Sequence, residues 1–155
     1  MFRIPTSLLT EMVAELSAVY PKEGCGFVLG TTDESGARCV QAYLLVPNEA
    51  DPELQTRRFS IGPGSYKSAE AYSEKHGMEI LGVVHSHPDH PSMPSATDRA
   101  SAIPWYEYLI VSLLNRELYT VQAWRLTADN QFAEVAVEQV QTVHQPNNTN
   151  KHMNV

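Results

Sequence analysis

Apolar residues recur at Leu8, Leu9, Met12, Val13 and Leu16 near the start of the chain, with polar residues between them. That three-to-four-residue spacing predicts a helix with one buried face, opened by Thr6 or Ser7 as cap and ended by Pro21. The pattern then changes. Glu23–Gly30 (EGCGFVLG) is a short apolar run between glycines, Thr31–Gly36 is a polar turn, and Ala37–Val46 is mostly apolar again. Two apolar runs around a polar turn predict an antiparallel hairpin with Glu23 at its mouth. Pro47–Arg58 has two prolines and mixed charge and reads as a loop, and Phe59–Ile61 as a short strand. A second helix is predicted over Tyr66–His76, with Gly77 as its stop. A strand follows over Glu79–His87, then a proline-rich loop to Pro94 and a short helix from Ser95 to about Ile103. Tyr106–Leu114 and Leu118–Leu126 read as paired strands, and Phe132–Val140 as a last alternating strand. From Gln141 onward the chain is polar, which predicts a flexible tail. The expectation is one domain over residues 1–140, a tail over 141–155, and an α/β sandwich around a mixed sheet.

Composition narrows the function. A chain of 155 residues that is 43% hydrophobic can bury a full core without disulfides or structural metals. Its formal net charge of -7 lacks the basic footprint of a nucleic-acid binder, and an anionic membrane would repel it. A partner with a basic surface is weakly favoured. No apolar stretch approaches the ~20 residues of a membrane-spanning helix, and the first residues lack the apolar run of a signal peptide. The only cysteines, Cys25 and Cys39, are too few for a disulfide framework and read as reduced, in a cytoplasmic protein.

Candidate chemistry is concentrated in Leu81–Asp98, LGVVHSHPDHPSMPSATD. His85 and His87 alternate on a predicted strand, so both project to one face. A lone histidine in an apolar strand is usually just buried; a pair at i and i+2 before a proline turn, with Asp98 eleven residues on, fits a three-ligand metal site with an open fourth position. Ser95-x-x-Asp98 also reads as a capping box, which is compatible with a carboxylate turned toward a metal. Glu23 alone reads as solvated surface and gains interest only as a proton acceptor beside a metal. Cys25 reads as a small buried hydrophobe, His90 as a surface histidine, and Arg57, Arg58 and Arg99 as solvated charges that could meet an acidic tail.

With these residues in hand, the chain resembles a known family. Glu23 upstream, then His85-Ser86-His87-Pro88, six residues, Ser95, two residues and Asp98 are similar to the JAMM signature of MPN+ metalloproteases. The Cys-Gly pair after Glu23 and the glycine at position 30 fit as well, and the resemblance covers about Leu8 to Val137. It implies an α+β MPN/JAMM-like (cytidine-deaminase-like) fold, a mixed β-sheet flanked by helices. It also implies Zn2+ held by His85, His87 and Asp98, Glu23 as general base and then acid, and Ser95 as a hydrogen-bond donor to the oxyanion. Members hydrolyse bonds after the C-terminal Gly-Gly tail of ubiquitin-fold proteins. The shortness of this chain resembles the compact prokaryotic form, whose partners are ubiquitin-like or sulfur-carrier proteins.

Three other readings compete. HSHPDH fits the H-x-H-x-D-H signature of the metallo-β-lactamase fold, which would recruit Asp89 and His90 to a second metal, but that fold needs a longer chain and further ligands downstream. A non-catalytic MPN scaffold would be expected to lack a ligand, and none is missing. JAMM-like domains of DNA-repair or phage-tail lineages tend to be fused to other domains.

Overall fold

The computed structural model describes residues 1–141 and the backbone of 152–154. Its sheet is mixed, with strand order β7-β6-β5-β4-β2-β3-β1-β8. The strands are β1 (Phe2–Pro5), β2 (Cys25–Thr32), β3 (Arg38–Val46), β4 (Glu79–Pro88), β5 (Glu107–Leu114), β6 (Glu117–Leu126), β7 (Phe132–Val135) and β8 (Val137–Val140). The expected hairpins are present: β2 pairs antiparallel with β3, and β5 with β6. β4 lies between β2, antiparallel, and β5, parallel. The result is the expected α+β arrangement, a mixed sheet flanked by helices.

Helices cover the two faces. α1 (Thr6–Ala18) buries Leu8, Leu9, Met12 and Leu16 against Val28, Tyr43, Val84, Leu109 and Val111. It starts without a side-chain cap: Pro5 takes the cap position, so neither Thr6 nor Ser7 caps it as expected. α2 (Pro63–His76) packs Ala69 on the opposite face, among Phe27, Leu29, Leu44 and Val83. It begins three residues before the predicted start, because Pro63 at the first helical position loses no hydrogen bond there. It ends at Gly77, whose φ of 64° is the left-handed conformation that glycine adopts most easily.

Two local readings change, and one strand carries a bulge. Phe59–Ile61 is not a strand; Phe59 stacks on the His85 ring instead. Leu81 is an extra residue in β4, since Val28 faces Gly82 while Leu29 faces Ile80; this bulge turns Leu81 toward the α1 side. Phe132–Val140 is two strands rather than one, broken at Ala136. β7 pairs with β6 at one end of the sheet and β8 with β1 at the other. One residue separates the two outermost strands of this order, so the sheet curls until its ends meet, and Phe2 N–H donates to the Ala136 carbonyl (2.8 Å) at the junction.

The expected tail falls mostly outside the described residues. The exception is β9 (His152–Asn154), which pairs parallel with Tyr43–Leu45. β1 covers β3 only at Arg38 and Cys39, which leaves that length of edge open to it. No helix among the described residues is long and apolar enough to cross a membrane.

Candidate active site

The site lies on the α2 face of the sheet, at the end where β2 begins and β4 finishes. His85 sits opposite Cys25 of β2 and Ile110 of β5, and His87 sits opposite Ser112. Strand alternation sends both imidazoles to the same side as Val83. His85 is fully buried and His87 nearly so. Ser86, between them, points the other way and ties β4 to the residue after Glu23. Gly24 N–H donates to Ser86 Oγ (2.9 Å), and Ser86 N–H donates to the Gly24 carbonyl (3.0 Å).

Asp98 arrives from α3 (Ala96–Ser101). The capping box is formed: Asp98 N–H donates to Ser95 Oγ (3.0 Å) and Ser95 N–H to Asp98 Oδ2 (2.8 Å). The same Oδ2 lies 3.3 Å from His85 Nε2 and 3.2 Å from His87 Nε2, and the two Nε2 atoms are 3.1 Å apart. The Ser-x-x-Asp segment therefore both starts a helix and turns a carboxylate onto the histidines.

Glu23 completes the group. Its carboxylate can come within 4.8 Å of donor atoms of both histidines. The backbone holds it from two sides, because Glu23 N–H donates to the Gln55 carbonyl (2.7 Å) and the Asn48 amide donates to the Glu23 carbonyl (3.0 Å). The residue is 4% exposed, and its Oε1 has no hydrogen-bond partner. Burial is the main reason its pKa is pushed up to about 7, with Asp98 adding to the rise and His87 opposing it.

The other titrating groups diverge. Burial holds His85 below its ordinary value. At His87 burial acts the same way, but hydrogen bonds to Asp98 and to the Pro91 carbonyl outweigh it and raise the pKa. Asp98 is buried too, yet its bonds to the two histidines hold it well below the usual carboxylate range. Cys25 is pushed up to about 12, first by burial and then by Glu23 and Glu49, so its thiol stays protonated. That agrees with its reading as a small hydrophobe.

The donor set suits a metal. Three donors about 2.0–2.1 Å from one ion in a tetrahedron lie roughly 3.3 Å from each other, and here the separations are 3.1–3.3 Å. His87 Nδ1 lies 2.7 Å from the Pro91 carbonyl; donating to it leaves Nε2 with a free lone pair, the tautomer a ligand needs. Two buried ring nitrogens facing each other across one carboxylate oxygen call for a cation or a proton among them.

A cleft of about 310 Å³ opens onto this group, lined by Glu23, Arg57, His87, His90, Pro91, Met93 and Ser95. Five sequence-predicted residues thus converge: Glu23, His85, His87, Ser95 and Asp98. His90 lies at the cleft wall. Asp89 does not join. Its carboxylate accepts from Tyr20 Oη–H and from Asn115 N–H (2.9 Å), which locks the loop onto the turn after α1 and the β5–β6 turn and removes the ligand a two-metal reading requires.

Some supporting residues had no signal in the sequence pattern. Asn48 donates to the carbonyls of Glu23 and Arg58 (2.9 Å) and accepts from Ala50 N–H (3.0 Å) and Ser60 N–H (3.1 Å), which organises the whole loop beside Glu23. Buried Ser92 meets Thr120 and Gln122 (both 2.7 Å), and Trp124 donates to its carbonyl (2.9 Å), which pins the proline-rich loop to β6. The Pro-Asn pair at positions 47 and 48 signals a turn, but nothing local reveals what that turn would hold.

Comparison with known proteins agrees with the fold. Residues 5–127 match the family described as prokaryotic homologs of the JAB domain. The chain is 37% identical over 119 residues to a desampylase of Haloferax volcanii, covering 76% of this chain and 78% of that one. It is 32% identical over 95 residues to a probable TtuB-protein conjugate cleaving protease of Thermus thermophilus, covering 61% and 59%. It is also 32% identical over 116 residues to the tail tip assembly protein K of Escherichia phage N15, covering 72% of this chain but only 41% of that protein. Among solved structures, a protein from Desulfitobacterium hafniense superposes with a TM-score of 0.81 at 27% identity, covering 92% of this chain and 95% of that one. A JAB1/MPN domain protein from Archaeoglobus fulgidus, at 18% identity and TM-score 0.56 over 90% and 98% of the two chains, shares the fold. A mixed sheet with this helix placement, the converging Glu, His, His, Ser and Asp, and a family match over most of the sequence lead to one assignment: the chain belongs to the prokaryotic JAB-domain branch of the JAMM/MPN family.

Proposed function

We propose that the chain is a zinc-dependent peptidase or isopeptidase. It hydrolyses the bond that follows the C-terminal Gly-Gly tail of a ubiquitin-like or sulfur-carrier protein. The observation that carries this reading is the triangle of His85, His87 and Asp98 donors beside a buried, unpartnered Glu23 carboxylate. The names of two relatives, a desampylase and a conjugate-cleaving protease, support the substrate class.

His85, His87 and Asp98 would hold the zinc, which when bound acidifies water and polarises a carbonyl. The rest falls to the chain. Glu23, with its pKa near 7, accepts the proton of the attacking water and passes it to the departing nitrogen. The C–N bond breaks, the water oxygen goes to the acyl carbon, and the amine leaves with the proton. Ser95 Oγ already accepts from Asp98 N–H, so its own hydrogen is free to donate to the developing oxyanion. Two glycines ahead of the scissile bond let the tail lie flat in a narrow approach.

The test is to incubate zinc-loaded protein with a ubiquitin-fold carrier conjugated through Gly-Gly and follow intact mass. Loss of the conjugated group at the Gly-Gly end is expected. Cleavage confined to unrelated unfolded peptides would refute the substrate class.

A further inference from the structure

Two hollows flank the donor triangle. One, of about 310 Å³, contains Glu23, His87, Ser95 and Arg57. The other, of about 200 Å³, contains Asp98 with Phe59, Val83 and Tyr108. The proposed mechanism has Glu23 deliver a proton to the departing nitrogen, so the leaving group occupies the first. That cleft is at the small end of ligand pockets, room for one or two residues rather than a folded surface.

Arg57 stands out there. Arg3, Arg38 and Arg125 each meet a carboxylate and Arg116 lies over the Tyr20 ring, whereas among the described residues the guanidinium of Arg57, like those of Arg58 and Arg99, has no hydrogen bond or ion pair, and of these three only Arg57 lines the cleft. Its position is set by the structure around Glu23. Arg57 N–H donates to the Leu54 carbonyl (3.0 Å), the Gln55 carbonyl accepts from Glu23 N–H, and Asn48 joins the carbonyls of Glu23 and Arg58. The backbone that carries Arg57 is thus placed beside Glu23, and its exposed, unpaired guanidinium lines the cleft of a protein of net charge -7. A guanidinium there suits a carboxylate, which it can grip with two parallel hydrogen bonds.

The leaving group that carries a carboxylate so close to the scissile nitrogen whatever its side chain is a C-terminal amino acid or very short peptide with its own free α-carboxylate. A lysine side-chain amine from a folded protein has only neutral backbone amides at the far end of its four-carbon stem. Resting on the hydrolase reading above, we propose that Arg57 binds the α-carboxylate of the leaving group and makes the enzyme prefer to trim a free C-terminal residue over opening a lysine isopeptide.

The test uses a ubiquitin-fold carrier extended as Gly-Gly-Ala, prepared as the free acid, as the C-terminal amide and as a Gly-Gly isopeptide to lysine. Zinc-loaded wild-type protein is expected to favour the free acid over the amide about 10- to 100-fold in kcat/KM, chiefly through KM. Arg57→Ala should collapse that ratio toward one, and Arg57→Lys should restore part of it. An equal free-acid preference in wild type and Arg57→Ala, or no preference in wild type, overturns the assignment even if cleavage itself is robust. Binding of the tripeptide Gly-Gly-Ala and of its amide to zinc-loaded Glu23→Gln separates the two layers. Free-acid preference lost in Glu23→Gln/Arg57→Ala upholds the carboxylate clamp even if no substrate is cleaved, and its absence overturns it.

Discussion

Replacing Glu23 by glutamine should stabilise the metal-free protein at alkaline pH and barely affect it in acid. In the fold the carboxyl holds its proton up to about 7, against 4.5 for an ordinary glutamate. Between those values the folded state binds more protons than the unfolded state, so stability falls as pH rises and stays lost above about 7. At 1.36 kcal/mol per pH unit the penalty is about 3 kcal/mol at pH 8 and under about 1 kcal/mol at pH 5. Glutamine keeps the shape without the charge and escapes the penalty. Its amide inherits the unpartnered environment of Oε1, so the gain should be about 2–3 kcal/mol at pH 8. The assay is urea unfolding of chelator-treated wild type and Glu23→Gln at both pH values, followed by tryptophan fluorescence. Metal must be removed, because a cation beside Glu23 favours the ionised carboxylate. A stability difference that is the same at pH 5 and pH 8, or a less stable variant at pH 8, refutes the placement of a buried, uncompensated carboxyl at position 23.

Other perturbations probe neighbouring parts. Protein purified with zinc should carry about one equivalent, and His87→Ala should hold less than about a tenth of that by elemental analysis; full retention would remove His87 from the ligand set. Asn48→Ala strips four hydrogen bonds from the loop beside Glu23 and should cost about 2–4 kcal/mol of stability with a fall in kcat, whereas a loss under about 0.5 kcal/mol would show the loop holds itself. A methyl group added at Gly26 would sit 2.2 Å from the Leu44 carbonyl oxygen, so Gly26→Ala should lower stability by about 3 kcal/mol in the same urea assay; an unchanged midpoint would mean that β2 and β3 can part there freely.

The parts of this molecule that could be read from sequence are those written locally. Helix α1 follows from Leu8, Leu9, Met12 and Leu16, and the two histidines share a face because strand geometry allows nothing else. Ser95–Asp98 was legible twice over, as a cap and as a candidate ligand, and one carboxylate oxygen meets both the Ser95 N–H and the two imidazoles. What escaped depends on partners far along the chain. Phe59 looks like a strand residue until a histidine ring twenty-six positions later stacks on it at 4.4 Å. The alternation in Phe132–Val140 is genuine, but only the distant strands β6 and β1 determine that it must split between them. Glu23 reads as surface because the groups that hold its backbone, Asn48 and Gln55, lie in a loop whose own sequence is polar and without periodicity.

The junction at Ala136 has a consequence for how the protein comes into being. Phe2 pairs with Val137, so β1 finds one of its neighbours only after nearly the whole described chain has been synthesised. At about 5–20 residues per second that wait lasts many seconds. During it β2, β3, β4 and β5 can already pair, and the residues of the triangle, ending at Asp98, have all been made. What is missing is the last rim of the sheet around the α1 core. A chain stalled before residue 137 would therefore present an assembled His85–His87–Asp98 face on a sheet with an open edge, the state in which a chaperone or a protease would meet it.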